Sequence, residues 1–219
     1  MRVKVTNYLD VVSSWCFWAE PMWLELKQRY AGRVAFEWKI ALMDSTGFPK
    51  SIAQTEWFYR RSGMLMRSPV MLKPGWYEPN IQECLAQNAV AEAARQLGVE
   101  DDRVRLALAR ATVIDGTRTG EWDAAVRIGA EAAGLKLNAL SELAQSADVT
   151  ARLRATTAEF HAMQVTQRPT FVIDSEIGDR AVFSGFARME PLAATLEMML
   201  DDLNFYDAHR AHYGEVPLA

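Results

Sequence analysis

Asp10-Val11-Val12-Ser13-Ser14-Trp15-Cys16-Phe17 is the stretch on which the fold turns. Before it, residues 2–12 read as a strand. Val3 and Val5 alternate with Lys4 and Thr6, and β-branched and aromatic residues follow. After it, residues 14–30 read as a helix. Phe17, Trp23, Leu24 and Leu26 recur near helical spacing, and Gly32 supplies a stop. Asp10 closes the strand, Ser13 is a good N-cap, and Pro21 predicts a kink. The octapeptide is therefore a strand-to-helix junction. A helix start presents unpaired backbone N–H groups and the positive end of the helix dipole. A thiolate is stabilised there, whether it belongs to the protein or to a ligand.

Working outward, residues 33–42 form a second expected strand, with Val34, Phe36 and Trp38 alternating with Ala35, Glu37 and Lys39. The next segment, 43–79, changes character. It holds Pro49, Pro69, Pro74 and Pro79 among Trp57, Phe58, Tyr59, Trp76 and Tyr77, and only a short helix over 55–61 is expected. Residues 80–163 read as helical almost throughout. Candidate helices cover 80–97, 101–115, 121–133, 138–145 and 148–162; Ala is frequent and Pro is absent. Strand signals return after Pro169, over 170–174 and 180–184, as a hairpin. A closing helix covers 189–203, and the tail from Asn204 has no strong pattern. Two β-rich segments around a helical block most economically share one sheet. The expectation is an α/β fold in which residues 1–42 and 166–219 make one unit and 43–165 a mainly helical insertion.

Composition narrows the function. The 219 residues carry 24 Lys plus Arg against 28 Asp plus Glu, a net charge of −4, with no long basic run. Nucleic acid is not the expected partner. Two cysteines, Cys16 and Cys84, are too few for a disulfide scaffold or a four-cysteine zinc site, although a Cys16–Cys84 bridge is conceivable from sequence. His161, His209 and His212 are scattered and suggest no metal site and no Ser-His-Asp arrangement. The first residues alternate at once, without an apolar signal core, and no apolar run approaches a membrane span. A soluble cytoplasmic protein with no membrane partner is expected.

Asp10 to Phe17, together with Pro169-Thr170-Phe171-Val172-Ile173, resembles the DsbA-like branch of the thioredoxin superfamily. That branch includes the kappa-class glutathione transferases, the 2-hydroxychromene-2-carboxylate isomerases and FrnE-like proteins. The resemblance covers nearly the whole chain and implies a thioredoxin-like sheet with a large helical insertion. Redox members carry Cys-x-x-Cys at this junction, whereas here Ser13 takes the first position and Cys16 the second. Without an internal dithiol, ordinary disulfide exchange is blocked. Kappa-like members use a serine at the first position to hydrogen-bond the sulfur of bound glutathione, and Ser13 fits that pattern.

The resemblance accordingly implies a thiol cofactor, glutathione, and an electrophilic small-molecule substrate, with no metal. Ser13 and Cys16 are the candidate catalytic residues. Ser14, Trp15, Arg168, Pro169 and Arg188 would hold the cofactor. Pro169 suits a cis peptide beside the junction, and Arg168 is placed to anchor a carboxylate. Trp18, Trp57, Tyr59 and Trp76 would line the substrate pocket; packing of the insertion or a homodimer interface competes for the same aromatics. One departure stands out. Where kappa-like members read Gly-Ser-Asp-Arg, a pair that holds the glutamyl end of glutathione, this chain reads Gly185-Phe186-Ala187-Arg188. Two rivals follow: redox chemistry through Cys16 alone, and a binding module without turnover.

Overall fold

The computed structural model describes residues 2–185 and 188–215. Strand β1 (Val3–Leu9) leads into helix α1 (Ser14–Arg29) and strand β2 (Val34–Ile40). Six helices follow: α2 (Ile52–Leu65), α3 (Leu85–Gln96), α4 (Arg103–Arg110), α5 (Trp122–Ala133), α6 (Leu137–Ala144) and α7 (Ala147–Ala162). A π-helical turn, Ala111–Asp115, extends α4. Strands β3 (Thr170–Ser175) and β4 (Arg180–Ser184) and helix α8 (Met189–Tyr213) complete the chain. The strands form one mixed sheet in the order β2-β1-β3-β4. β1 pairs parallel with β2, Val5 opposite Phe36, and antiparallel with β3, Val5 opposite Ile173. The order of elements is the expected α/β arrangement with helices between β2 and β3.

Alternation in the strands divides the core. Val3, Val5, Phe171 and Ile173 pack on one face against Ala19, Trp23 and Leu26 of α1 and Leu192, Leu196 and Leu203 of α8. On the other face Tyr8 and Val172 meet Phe160 of α7. Leu9, Trp38, Ile40 and Leu42, at one end of the sheet, join a larger core built around α3. The alanines of α3 let neighbouring helices approach closely, and Gly129 on α5 takes this to its limit. A methyl group there would lie 2.5 Å from Val90 Cγ1 and 3.3 Å from Leu140 Cδ2. Gly129→Ala is therefore expected to lower stability by about 1–3 kcal/mol, the usual cost of overpacking, despite alanine's better helix propensity. Thermal unfolding checks this; an unchanged or raised Tm would contradict it.

Three boundaries differ from expectation. Helix α2 runs over 14 residues, well beyond 55–61. Ser51 caps it by accepting from Gln54 N at 3.1 Å, and Gln54 reaches back to Lys50 N, a signal overlooked among the prolines. The first helix of the insertion begins at Leu85, not at 80. Helix α8 continues to Tyr213. Its last ten residues are exposed, so no apolar stripe marked them; Arg2 pairs with Asp207 there, and the His209 and Tyr213 rings lie 4.8 Å apart. Helix α1 continues through Pro21. Both cysteines are free.

Candidate functional site

Ser13 caps α1, as its sequence position requires. Its backbone is extended, and its Oγ accepts from Cys16 N at 3.3 Å. That bond uses a lone pair of the hydroxyl, which also lies within hydrogen-bonding reach of the Cys16 thiol. The first turn of α1 carries no acidic residue to offset its positive end.

The junction is held from beneath by Asp10, which is fully buried. Its Oδ1 accepts from Val12 N at 3.1 Å and Asn88 Nδ2 at 2.9 Å, and its Oδ2 accepts from Met43 N at 2.8 Å. Asn88 in turn accepts from Val11 N at 3.0 Å and donates to the Cys84 carbonyl at 2.7 Å. One carboxylate thus ties together the junction, the end of β2 and helix α3. Burial raises the Asp10 pKa, against the pull of these donors and of the Arg168 charge. Asn88 escaped notice in the sequence because it sits in a helical alanine run; α3 buries polar as well as apolar positions from Ala86 to Ala94.

The peptide bond between Arg168 and Pro169 is cis, as the position suggested. The loop before it faces the junction across a cleft of about 320 Å³. Val12, Ser13, Ser14 and Trp15 line one side, and Thr166, Gln167 and Arg168 another. Tyr59 from α2 and Trp76 form part of the wall, and Trp76 Nε1 donates to Tyr59 Oη at 2.6 Å. Trp76 is fixed by a close backbone approach. A Cβ on Gly75 would fall 2.3 Å from the Gly116 carbonyl, and Lys73 N donates to Val113 O at 2.8 Å. The prolines and glycines around it thus deliver an aromatic wall to the cleft.

The structure therefore gathers Ser13, Ser14, Trp15, Tyr59, Trp76 and Arg168. It separates others. Trp18 donates through Nε1 to Ser62 Oγ at 3.2 Å and lines a neighbouring depression together with Arg188. Trp57, which is 57% exposed, lies outside the lining of the cleft. Phe186 and Ala187 lie outside the described residues. Pro169 flanks the cleft and accepts from Gly185 N through its carbonyl at 3.0 Å.

Arg168 is committed to the scaffold. Its Nε donates to Ala41 O at 2.6 Å, Nη2 to Leu42 O at 2.7 Å and Nη1 to Thr166 O at 3.2 Å, while the guanidinium stacks 4.3 Å from the Phe160 ring centre. Cys16 is 4% exposed and does not line the cleft. Burial pushes its thiol up to about 12, with the Ser13 hydrogen bond opposing. Among the described residues no group of three or more His, Cys, Asp or Glu side chains could hold a metal ion.

A β-α-β unit and a β-hairpin with a closing helix share one sheet, and a helix start faces a cis-proline loop. That combination defines a thioredoxin-fold protein. A model of the DSBA-like thioredoxin domain matches residues 4–197, so the chain belongs to that family. No curated protein matches it. Among solved structures it is similar to one described as a putative protein disulfide isomerase from Nitrosomonas europaea. The two are 16% identical with a TM-score of 0.78, over 92% of this chain and 99% of that one. It is also similar to the cytosolic disulfide reductase DsbM from Pseudomonas aeruginosa with GSH, at 17% identity and a TM-score of 0.69, over 90% and 99% of the two chains. DsbA from the same organism aligns with a TM-score of 0.58 at 12% identity, over 94% of this chain and 86% of that one. At these identities the likeness is one of fold. No helix among the described residues is long and apolar enough to cross a membrane.

Proposed function

We propose that this chain is a thiol-cofactor-dependent enzyme, with glutathione as the thiol and a small electrophilic molecule as the acceptor. One observation carries the proposal: a serine lines the cleft at the start of α1, while the junction's only cysteine is buried behind it. The GSH of the DsbM structure supports the choice of thiol. In the proposed mechanism the Ser13 hydroxyl donates to the cofactor sulfur, and with the α1 N-terminus it favours the thiolate. When bound, glutathione would supply a nucleophilic thiolate for an electrophilic carbon, its thiol proton lost to solvent and, in a transfer, a leaving group departing with its electron pair. Backbone groups beside Pro169 align the cofactor as an extended strand.

Cys16 is a poor candidate for independent redox work, because a nucleophilic cysteine must be accessible and ionised, and this one is neither. The experiment is glutathione conjugation of chlorodinitrobenzene. Ser13→Ala should lower kcat/KM about 10- to 100-fold, the loss of one hydrogen bond to a charged group. Glutathione-dependent turnover unchanged in Ser13→Ala would refute the role given to Ser13.

A further inference from the structure

The charged side chains that line the cleft are all cations. Its lining includes Arg61 and Arg168 together with the start of α1, and no Asp or Glu, in a protein whose net charge is −4. The two arginines differ. Arg168 spends three N–H groups on backbone carbonyls. Arg61 makes no hydrogen bond or ion pair to any described residue. Its guanidinium instead lies 5.1 Å from the ring centre of Phe58, 5.3 Å from Trp57 and 5.7 Å from Trp15. Aromatic rings hold an arginine without using its five in-plane donors. Arg61 is exposed and lines the cleft, so its fork is open to solvent and to a ligand. The planar group that matches this fork is a carboxylate.

The geometry points to Arg61 as the anion-recognition residue of the cleft, which makes the ligand a carboxylate-bearing small molecule. For the ligand's sulfur end this inference rests on the function proposed above; for the other end it goes beyond it. The carboxylate could belong to the thiol or to the acceptor, and aromatic contacts from Trp15 and Phe58 suit an acceptor with an apolar body. Trp57, outside the cleft lining, acquires a role as a brace for the guanidinium.

The experiment compares the intact protein with Arg61→Gln, by calorimetry, using glutathione, its diethyl ester (which keeps the thiol and loses both carboxylates) and benzoate. Arg61→Gln is expected to weaken a carboxylate probe about tenfold, as loss of a charge-assisted pair does. Weaker glutathione with an unchanged ester places the thiol's carboxylate on Arg61. Weaker benzoate with unchanged glutathione places the acceptor's there. Benzoate binding that depends on Arg61, without any glutathione binding, sustains the inference and removes the thiol proposal. If Arg61→Gln alters none of the three, or weakens the ester as much as the acids, the inference is overturned; glutathione binding sensitive to Ser13→Ala would then leave the thiol proposal standing. If no probe binds the intact protein, both fall. Arg61→Lys should recover only part of the affinity, because an ammonium lacks the fork.

Discussion

Cys16 in the folded protein should react with iodoacetamide roughly a thousandfold more slowly than in the unfolded chain near neutral pH. The thiol rises from its ordinary 9.0 to about 12 through burial, and each unit removes a factor of ten from the thiolate fraction. Shielding by the surrounding core acts in the same direction. The sign carries over to stability. A thiol with a raised folded pKa contributes stability that is complete below its unfolded value and is lost as pH climbs toward about 12. Cys84 shifts in the same direction, so the fold should weaken steadily in alkali. Alkylation followed by peptide mapping separates the two cysteines. A Cys16 rate within tenfold of a free cysteine would contradict this account and restore single-cysteine redox chemistry.

The second large effect concerns the attachment of the insertion to the helix that forms the site. Arg105 on α4 is 2% exposed and forks onto Glu20 of α1, with Nη2 2.9 Å from Oε2 and Nη1 against Oε1. Its Nη2 also lies 3.2 Å from Asp102 Oδ1. Removing the cation strands the largely buried Glu20 carboxylate and leaves Asp102 with Lys27 alone. Arg105→Met should therefore cost about 3–5 kcal/mol, the penalty for breaking a buried pair, and lower Tm by roughly 6–20 °C. Adding Glu20→Gln should recover part of the loss, because the two sites share one network. The same network has an acid limit. Burial raises the Asp102 pKa, but Arg105 and Lys27 lower it further, so the net shift is downward. Its contribution is complete above the ordinary aspartate value, about 3.9, and is lost as pH falls through the lower folded value. Chemical denaturation of Arg105→Met from about pH 7 to 3 checks both statements. A loss under 1 kcal/mol at neutral pH would show that the clamp contributes little.

The junction and its opposing loop were legible because their signals are local. Period-two alternation ends at Asp10, Ser13 has the chemistry of a cap, and Pro169 directly precedes a strand. The paired β segments followed from the same alternation. Length was harder to read where burial does not repeat. Ile52, Trp57, Met64 and Leu65 of α2 are exposed, so the apolar stripe that would reveal a full helix is missing. Within the site, Ser13, Ser14, Trp15, Tyr59, Trp76 and Arg168 line one cleft. The employment of Arg168 was illegible, because its partners are carbonyls of Ala41, Leu42 and Thr166, and carbonyls leave no mark in a sequence. Arg61 carries no distinguishing signal in the sequence. Only the fold sets Trp15, from α1, beside Trp57 and Phe58 of α2 around it.

The central claim is that Ser13 and the start of α1 stabilise the thiolate of a bound cofactor. Its most direct test is the pKa of glutathione's thiol while bound, read from ultraviolet thiolate absorbance against pH in the intact protein and in Ser13→Ala. Helix starts and donated hydrogen bonds lower thiol pKa values by one to several units from about 8.5. The bound thiol should therefore titrate at least about one unit below free glutathione, and Ser13→Ala should return much of that shift. A bound thiol that titrates like the free one, or a lowered value untouched by Ser13→Ala, would contradict the claim.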